Sequence, residues 1–457
     1  MNVHAQPFFV PPRPAAPAEE LGWYRFLVAI RTNALTIWPQ AAYEQDILVG
    51  SAFGRTRMLI NAPDVIHRVL VENTANYRRT AATIRILRPI VGAGLLLSEG
   101  EDWRHQRRTI APALAPRVVP MLARHIVLAT EETIARLAAN AAGEVDILTA
   151  VQFLTLEIAA RSMFSLEMRQ HGAPLRRLIT RFAAGLSQPH FLDLMLPAAI
   201  PTLRDLARMR FRSQWVALMD KIVEARLRAP PDEKPRDLFD MLLAARDPET
   251  GAAFSRAQLR DQMATMIVAG HETTALTLFW SLYLLASSPA EQERVAEEVR
   301  AIDLAPDTAA DALAKLPYTK AVVNEALRLY PPAFALARMA IAADRVGDVA
   351  IPRGALVMMS PWVLHRHLRL WKDPDAFNPS RFLGEAPPAH RFAYMPFGAG
   401  PRVCIGAQLA LTEACLVLAR MIQRFHVALA DAVPVRPVAV IVTQPDHAAP
   451  FRLRERR

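Results

Sequence analysis

"FGAGPRVCIG", residues 397–406, sets one of the chain's two cysteines, Cys404, in a loop with three glycines and a proline. The other, Cys415, lies eleven residues on. Two cysteines are too few for a disulfide framework and their interval fits no zinc spacing, so a reducing cytoplasm is the expected setting. Around this loop the chain runs to 457 residues, 52% apolar and 21% charged, enough for a large core and unlike a disordered or fibrous protein. No fixed-period repeat or low-complexity linker divides it. The expectation is a lead-in and first helix over 1–40 and a single domain over 41–457. The start, "MNVHAQPFFVPPRPAAPAEE", lacks the basic, apolar and small-residue segments of a signal peptide and reads as an extended Pro-rich lead-in without a membrane anchor.

A net charge of +10 invites a nucleic-acid partner, but no Lys/Arg run with interleaved aromatics appears, which excludes that class. The lysines are Lys221, Lys234, Lys315, Lys320 and Lys372 alone, so the charge is carried by guanidinium groups suited to bidentate carboxylate pairing. A basic face for an acidic protein partner is the better reading.

Outward from the loop, apolar residues from about 101 to 330 recur at intervals of three and four, the pattern of a long helical body. Short β-type runs mark 43–60, 338–360 and the tail "RPVAVIVTQPDHAAPFRLR". Pro63 and Asp64 open a helix after the first of these. The stretch "MATMIVAGHETTALTLFWSLYLLA" is apolar enough to span a bilayer, but an acid and two hydroxyls at its middle argue for a buried core helix. Ser255 with Gln258 forms a capping box at its start and Pro289 marks its end, a rod of roughly 33 residues and about 50 Å.

In this context Cys404 is either a buried structural thiol or a ligand. A thiolate is a soft ligand for iron, and on heme iron it pushes electron density to the opposite face and favours O–O cleavage. Gly398, Gly400 and Gly406 let the backbone approach a porphyrin and aim N–H groups at the sulfur. Phe397 shields it, and Arg402 can reach an anionic heme propionate.

Phe397-Gly398-x-Gly400-x-Arg402-x-Cys404-x-Gly406 resembles the heme-binding signature of the cytochrome P450 family at each defining position. Further segments match that family in order and approximate spacing, from about residue 40 to the end. Glu325 and Arg328 resemble its E-x-x-R helix, with Arg381 of "FNPSRF" as third member. Ser380 stands there in place of the usual acid. The resemblance makes this triad structural. Trp103 and Arg107, four apart in "EDWRHQRR", resemble the family's W-x-x-x-R propionate contact, and Arg338 in "ALARMA" stands where another propionate arginine is common.

Ala269 to Thr274, "AGHETT", resembles the oxygen-binding segment of the family's long helix. Glu272 and Thr273 are then the acid–alcohol pair that delivers the protons oxygen activation consumes, in a dry pocket where Gly270 leaves room. Read without the resemblance, the two threonines bond their own i−4 carbonyls. His271 reads as a packing or surface residue and Cys415 as core.

The resemblance implies a mainly α fold with a small β-rich part, holding heme b (iron protoporphyrin IX) between the central helix and the cysteine loop. It implies a soluble bacterial monooxygenase that uses O2, with electrons from NAD(P)H through a separate ferredoxin or flavodoxin-type donor and its reductase. Arg104 and Arg108 are candidates to meet that donor. Rival readings are a peroxide-using peroxygenase, a non-oxygenating heme-thiolate enzyme, and a heme-binding sensor without turnover. Apolar segments at 80–97 and 188–201, with Phe334 and Leu336, point to a lipophilic substrate. Arg78, Arg79, Arg85 or Arg88 can hold a substrate carboxylate, though most of them read as solvated surface arginines.

Overall fold

The computed structural model describes residues 8–52, 54–139, 143–165, 168–197, 199–228, 235–384 and 390–456. The helices that frame the site are α1 (Trp23–Thr32), α2 (Ala81–Val91), α3 (Gly100–Ile110), α4 (Val119–Ala139), α5 (Ile147–Phe164), α6 (Leu203–Arg228), α7 (Arg256–Ala286), α8 (Pro317–Leu329) and α9 (Ala407–Arg424). The predicted capping box opens α7: Ser255 N–H donates to Gln258 Oε1 at 2.9 Å and Gln258 N–H to Ser255 Oγ at 3.3 Å. The helix holds 31 residues and ends at Ala286. Pro289 therefore does not end it. Proline is better tolerated at a first helical position, and there it starts the next helix, Pro289–Val299.

Two apolar cores share α7. Leu259, Met263, Ala264 and Ile267 pack with Leu156 and Met163 of α5 and with Phe211 and Trp215 of α6. Ala275, Leu278, Phe279 and Leu282 pack instead with residues of α4, α8 and α9. The seam between these cores falls at residues 268–274, the "HETT" region.

A mixed sheet lies at one margin: β1 (Ile47–Ala52), β2 (Arg55–Ile60), β3 (Tyr77–Arg78), β4 (Leu336–Ala340) and β5 (Leu356–Met359), in spatial order β1-β2-β5-β4-β3. Two of the predicted β regions thus form one sheet, joined by the parallel pairing of Arg57–Leu59 with Leu356–Met358. Beneath it a third core of Met58, Ile60, Val357, Met359 and Met395 reaches the approach to the cysteine loop. After β2 the helix opened by Pro63 runs to His67 and continues as a π-turn, Arg68–Glu72.

The lead-in is extended and packed down. Phe377 N–H donates to Phe9 O at 2.8 Å, Arg13 pairs with Asp375 at 3.2 Å, and Leu35, Ile37 and Trp38 enter the core. Among the described residues one helix, α5, is long and apolar enough to cross a membrane. It is packed against α4 and α7, with 61% of its residues buried.

Candidate active site

The loop carrying Cys404 is held from behind by a buried ion pair. Arg328 donates to both oxygens of Glu325, at 2.7 and 2.8 Å, and to the carbonyls of His365, Pro374 and Ala376. Arg381 completes the predicted triad at 3.3 Å from Glu325. Both members of the central pair are fully buried, so each depends on the other for compensation.

His365 extends this lock. Its Nε2 accepts the Met395 N–H at 2.9 Å, which leaves Nδ1–H to donate to Arg328 O at 3.2 Å. Burial, reinforced by the Arg328 charge, lowers its pKa to about 3 and keeps the ring neutral. Nothing in the sequence around His365 announces this role, because its partners lie 30 and 37 residues away.

Two residues after Met395 the loop begins. Gly398 and Gly400 have φ of +73° and +71°, the left-handed region that favours glycine. A Cβ at Gly400 would also sit on the carbonyl oxygen of Leu70, in the π-turn. Cys404 N–H donates to Phe397 O at 2.9 Å, which folds the loop back on itself. Gly406 caps α9, and its backbone N–H bonds to the Cys404 sulfur. That sulfur is uncovered, yet desolvation raises its thiol pKa against the opposing effects of Gly406 and Arg107. An uncovered but poorly hydrated thiol faces an internal space rather than bulk water.

The cationic side gathers beside Trp103 of α3. The Arg402 guanidinium stacks over Trp103 at 4.5 Å from the ring centroid and donates to Ser98 O at 3.0 Å and Glu99 Oε2 at 2.7 Å. Arg79 reaches the other oxygen of Glu99 at 3.1 Å. Arg338 joins them, its one described hydrogen bond going to Ala337 O at 2.9 Å. Burial, then the nearness of Arg79, lowers the pKa of both Arg338 and Arg402 to about 10.

Trp103, Arg402 and Arg338 are thus brought together as predicted for a propionate site. Arg107 is set slightly apart: it donates to Val403 O at 2.8 Å and interacts electrostatically with Cys404. Arg79 and Glu99 were missed. The run "SEGED" reads as acids favouring a helix N-terminus, and only the fold brings Arg79 beside it.

On α7, Ala269 is exposed and a Cβ at Gly270 would meet open space, although most of the helix around them is buried. Thr273 Oγ donates to Ala269 O at 2.5 Å, its own i−4 carbonyl. Burial, with no offsetting partner, raises the carboxyl pKa of Glu272. His271 is a packing residue: it is buried, held to Gln152 O at 3.0 Å, and desolvation lowers its pKa to about 4. Cys415 lies in the core.

Four arginine expectations are corrected. Arg79 is largely covered and paired with Glu99. Arg85, its side chain 4% exposed, donates to the carbonyls of Leu192, Leu196, Pro197 and Ile200, tying α2 to the 192–200 segment. Arg104 is paired with Glu101, and Arg108 with Asp247 and Glu249 at 3.0 Å each, so neither is a free cation for a partner. Glu101 stands three residues before Arg104 on the same helix, a locally readable pair, whereas Asp247 and Glu249 come from the turn after residue 244, which no local pattern connects to Arg108.

A soft anionic donor, a guanidinium cluster only partly neutralised and an uncrowded stretch of a core helix fit a heme with its two carboxylates. The family pattern described as Cytochrome P450 matches residues 43–447, and the chain belongs to that family. It is similar to a cytokinin hydroxylase of Arabidopsis thaliana, 32% identical over 86% of this chain and 78% of that protein. It is also similar to cyclooctat-9-en-7-ol 5-monooxygenase of Streptomyces melanosporofaciens, 33% identical over 74% and 73%. The crystal structure of the cytochrome P450DA heme domain superposes with a TM-score of 0.83 at 24% identity, covering 98% of both chains, and so shares the fold. The chain is a cytochrome P450 monooxygenase, a family that binds heme as a rule.

Proposed function

We propose that this chain binds heme b through Cys404 and inserts one oxygen atom of O2 into a lipophilic organic molecule. NAD(P)H supplies the electrons, through a separate ferredoxin or flavodoxin-type donor in the cytoplasm. The observation that carries the proposal is Cys404 itself, an uncovered thiol on a glycine loop packed against the Leu70 backbone. Bound there, heme supplies O2 activation assisted by the electron donation of its thiolate ligand. Phe397, Gly398 and Gly406 shape the loop around the sulfur. Arg338 and Arg402 hold the propionates, with Trp103 stacked on Arg402 and Arg107 bracing the loop at Val403.

The remaining chemistry is proton management. Thr273 spends its only O–H on Ala269 O, so its hydroxyl oxygen is left to accept, and it can hold a water or a protonated oxygen in place. Burial raises the carboxyl pKa of Glu272, which favours its protonated form relative to an exposed glutamate and suits a proton relay. His271, bound to Gln152, takes no part.

The apolar segments in α2 and 191–197, with Phe334 and Leu336, support a lipophilic substrate. So does the single alcohol named for the Streptomyces relative. The test is turnover of the holoprotein with NAD(P)H, a ferredoxin and its reductase, on compounds first selected by a low-spin to high-spin shift. Product containing one atom of labelled O2 is expected. Product from hydrogen peroxide alone would make the chain a peroxygenase, and spectral shifts without turnover would make it a sensor.

A further inference from the structure

The cluster beside Trp103 contains three guanidiniums, Arg79, Arg338 and Arg402, and a single carboxylate, Glu99. Its net charge is therefore two positive, equal and opposite to the two carboxylates of a heme. Arg107 stands outside this balance, committed to Val403 O and interacting with Cys404. We propose that Glu99 is a positioning residue that sets the charge of the cofactor's carboxylate site and holds Arg79 and Arg402 one on each of its oxygens. The inference rests on reading the arginine cluster as the place of the heme propionates.

The geometry supports the role. Glu99 Oε1 takes Arg79 and Oε2 takes Arg402, so one carboxylate spans two cations that would otherwise repel across a poorly hydrated space. Each arginine keeps N–H donors beyond its described bonds: Arg79 uses one on Glu99, and Arg402 uses two, on Ser98 O and Glu99. Glu101, one turn into α3, carries the same charge but is 77% exposed and paired with Arg104. Solvent screens that charge, whereas Glu99 is two-thirds covered and acts at close range. A negative charge near the propionates favours the ferric state, so Glu99 holds the iron's reduction potential down.

The experiment is a spectroelectrochemical titration of the ferric/ferrous couple in the holoprotein. Glu99→Gln should move the midpoint positive, and by more than Glu101→Gln, which makes the same charge change at an exposed site. Arg79→Gln should move it negative, and Glu99→Gln with Arg79→Gln should return it toward the parent value because the net charge is restored. A Glu99→Gln shift no larger than that of Glu101→Gln would overturn the proposal, as would a double variant further from the parent than either single one; a brace without an electrostatic role gives that outcome. If Glu99→Gln loads no heme, Glu99→Asp should restore loading, and failure of that rescue also counts against the proposal. If Arg79→Gln and Arg402→Gln both leave the midpoint unmoved, the propionate reading fails, and this inference with it.

Discussion

The backbones of Leu70 and Gly400 meet where no side chain fits between them: a Cβ on Gly400 would coincide with the Leu70 carbonyl oxygen. Leu70 lies in the π-turn at Arg68–Glu72 and Gly400 in the cysteine loop, so an irregular helix near the N-terminus is the backstop of a ligand loop near the C-terminus. Such π-turns are uncommon and concentrate at functional sites.

Gly400→Ala meets that carbonyl and a φ of +71° together. The dihedral alone costs about 1–3 kcal/mol, and the clash adds to it. The variant should unfold at lower temperature and bind less heme. Gly270→Ala is the contrast: its methyl meets open space and gains up to about 1 kcal/mol of helix propensity. Thermal unfolding of the two, side by side, should show opposite signs.

Cys404→Ala should abolish the thiolate-type absorption of the reduced carbon monoxide complex, because it removes the soft anionic ligand of the loop. Cys415→Ala, which removes only a buried thiol, should keep the band. Survival of the band in Cys404→Ala would show that the iron is held elsewhere.

Arg328→Ala strands the fully buried Glu325 carboxylate and removes the guanidinium bonds to the carbonyls of His365, Pro374 and Ala376. Breaking a buried pair of this kind costs roughly 3–5 kcal/mol. Low soluble yield and a large drop in denaturation midpoint are expected; parent-like stability would mean the pair is dispensable.

Thr273→Ala removes the hydroxyl bound to Ala269 O and leaves the cysteine loop untouched. Heme content and substrate-induced spectral shifts should persist, while the ratio of product formed to NAD(P)H consumed falls and hydrogen peroxide appears. Glu272→Gln should lower the same ratio. Unchanged coupling in both variants would assign proton delivery to another group.

Glu413 on α9 is buried, and desolvation raises its carboxyl pKa to about 8 from an ordinary 4.5. The folded state thus keeps a proton that the unfolded chain has lost. From this group, stability is full below pH 4.5 and declines as pH rises to about 8, by about 1.4 kcal/mol per unit. His271 and His365, with folded values of about 4 and 3, lose stability only as pH falls below 6.5. The window from pH 6.5 to 8 clears these histidines, and since burial raises Glu272 and Glu298 as well, it is the difference between the parent and Glu413→Gln, whose slope should be the shallower, that isolates Glu413. Urea midpoints of the parent should fall across it, and those of Glu413→Gln should fall less; equal slopes would place the carboxyl in contact with water.

What the sequence disclosed here was what is local. The capping box at Ser255, the glycines of the loop and the i,i+3 pair Glu325–Arg328 are short-range patterns, each with a mechanism readable from neighbours. What stayed hidden depends on chain segments that meet only in the fold. Glu99 carries no local mark of its role, which appears only where Arg79 and Arg402 converge on it, and Arg85 reads as solvated until four carbonyls of 192–200 close around it. Arg108 meets Asp247 and Glu249 only in the fold, for the same reason, whereas the Glu101–Arg104 pair is an i,i+3 contact on one helix.

The register of β2 against β5 carries a consequence for biosynthesis. Residues 57–59 pair with 356–358, so the first hairpin leaves the ribosome with one edge unmatched and waits for about 300 more residues. At about 5–20 residues per second this delay lasts some 15–60 s. Cys404 emerges later still, after the helices and the sheet it leans on have been made. The nascent protein must therefore keep an unpaired strand edge from aggregating for the length of that delay, and it can take up its iron only after Cys404 has emerged.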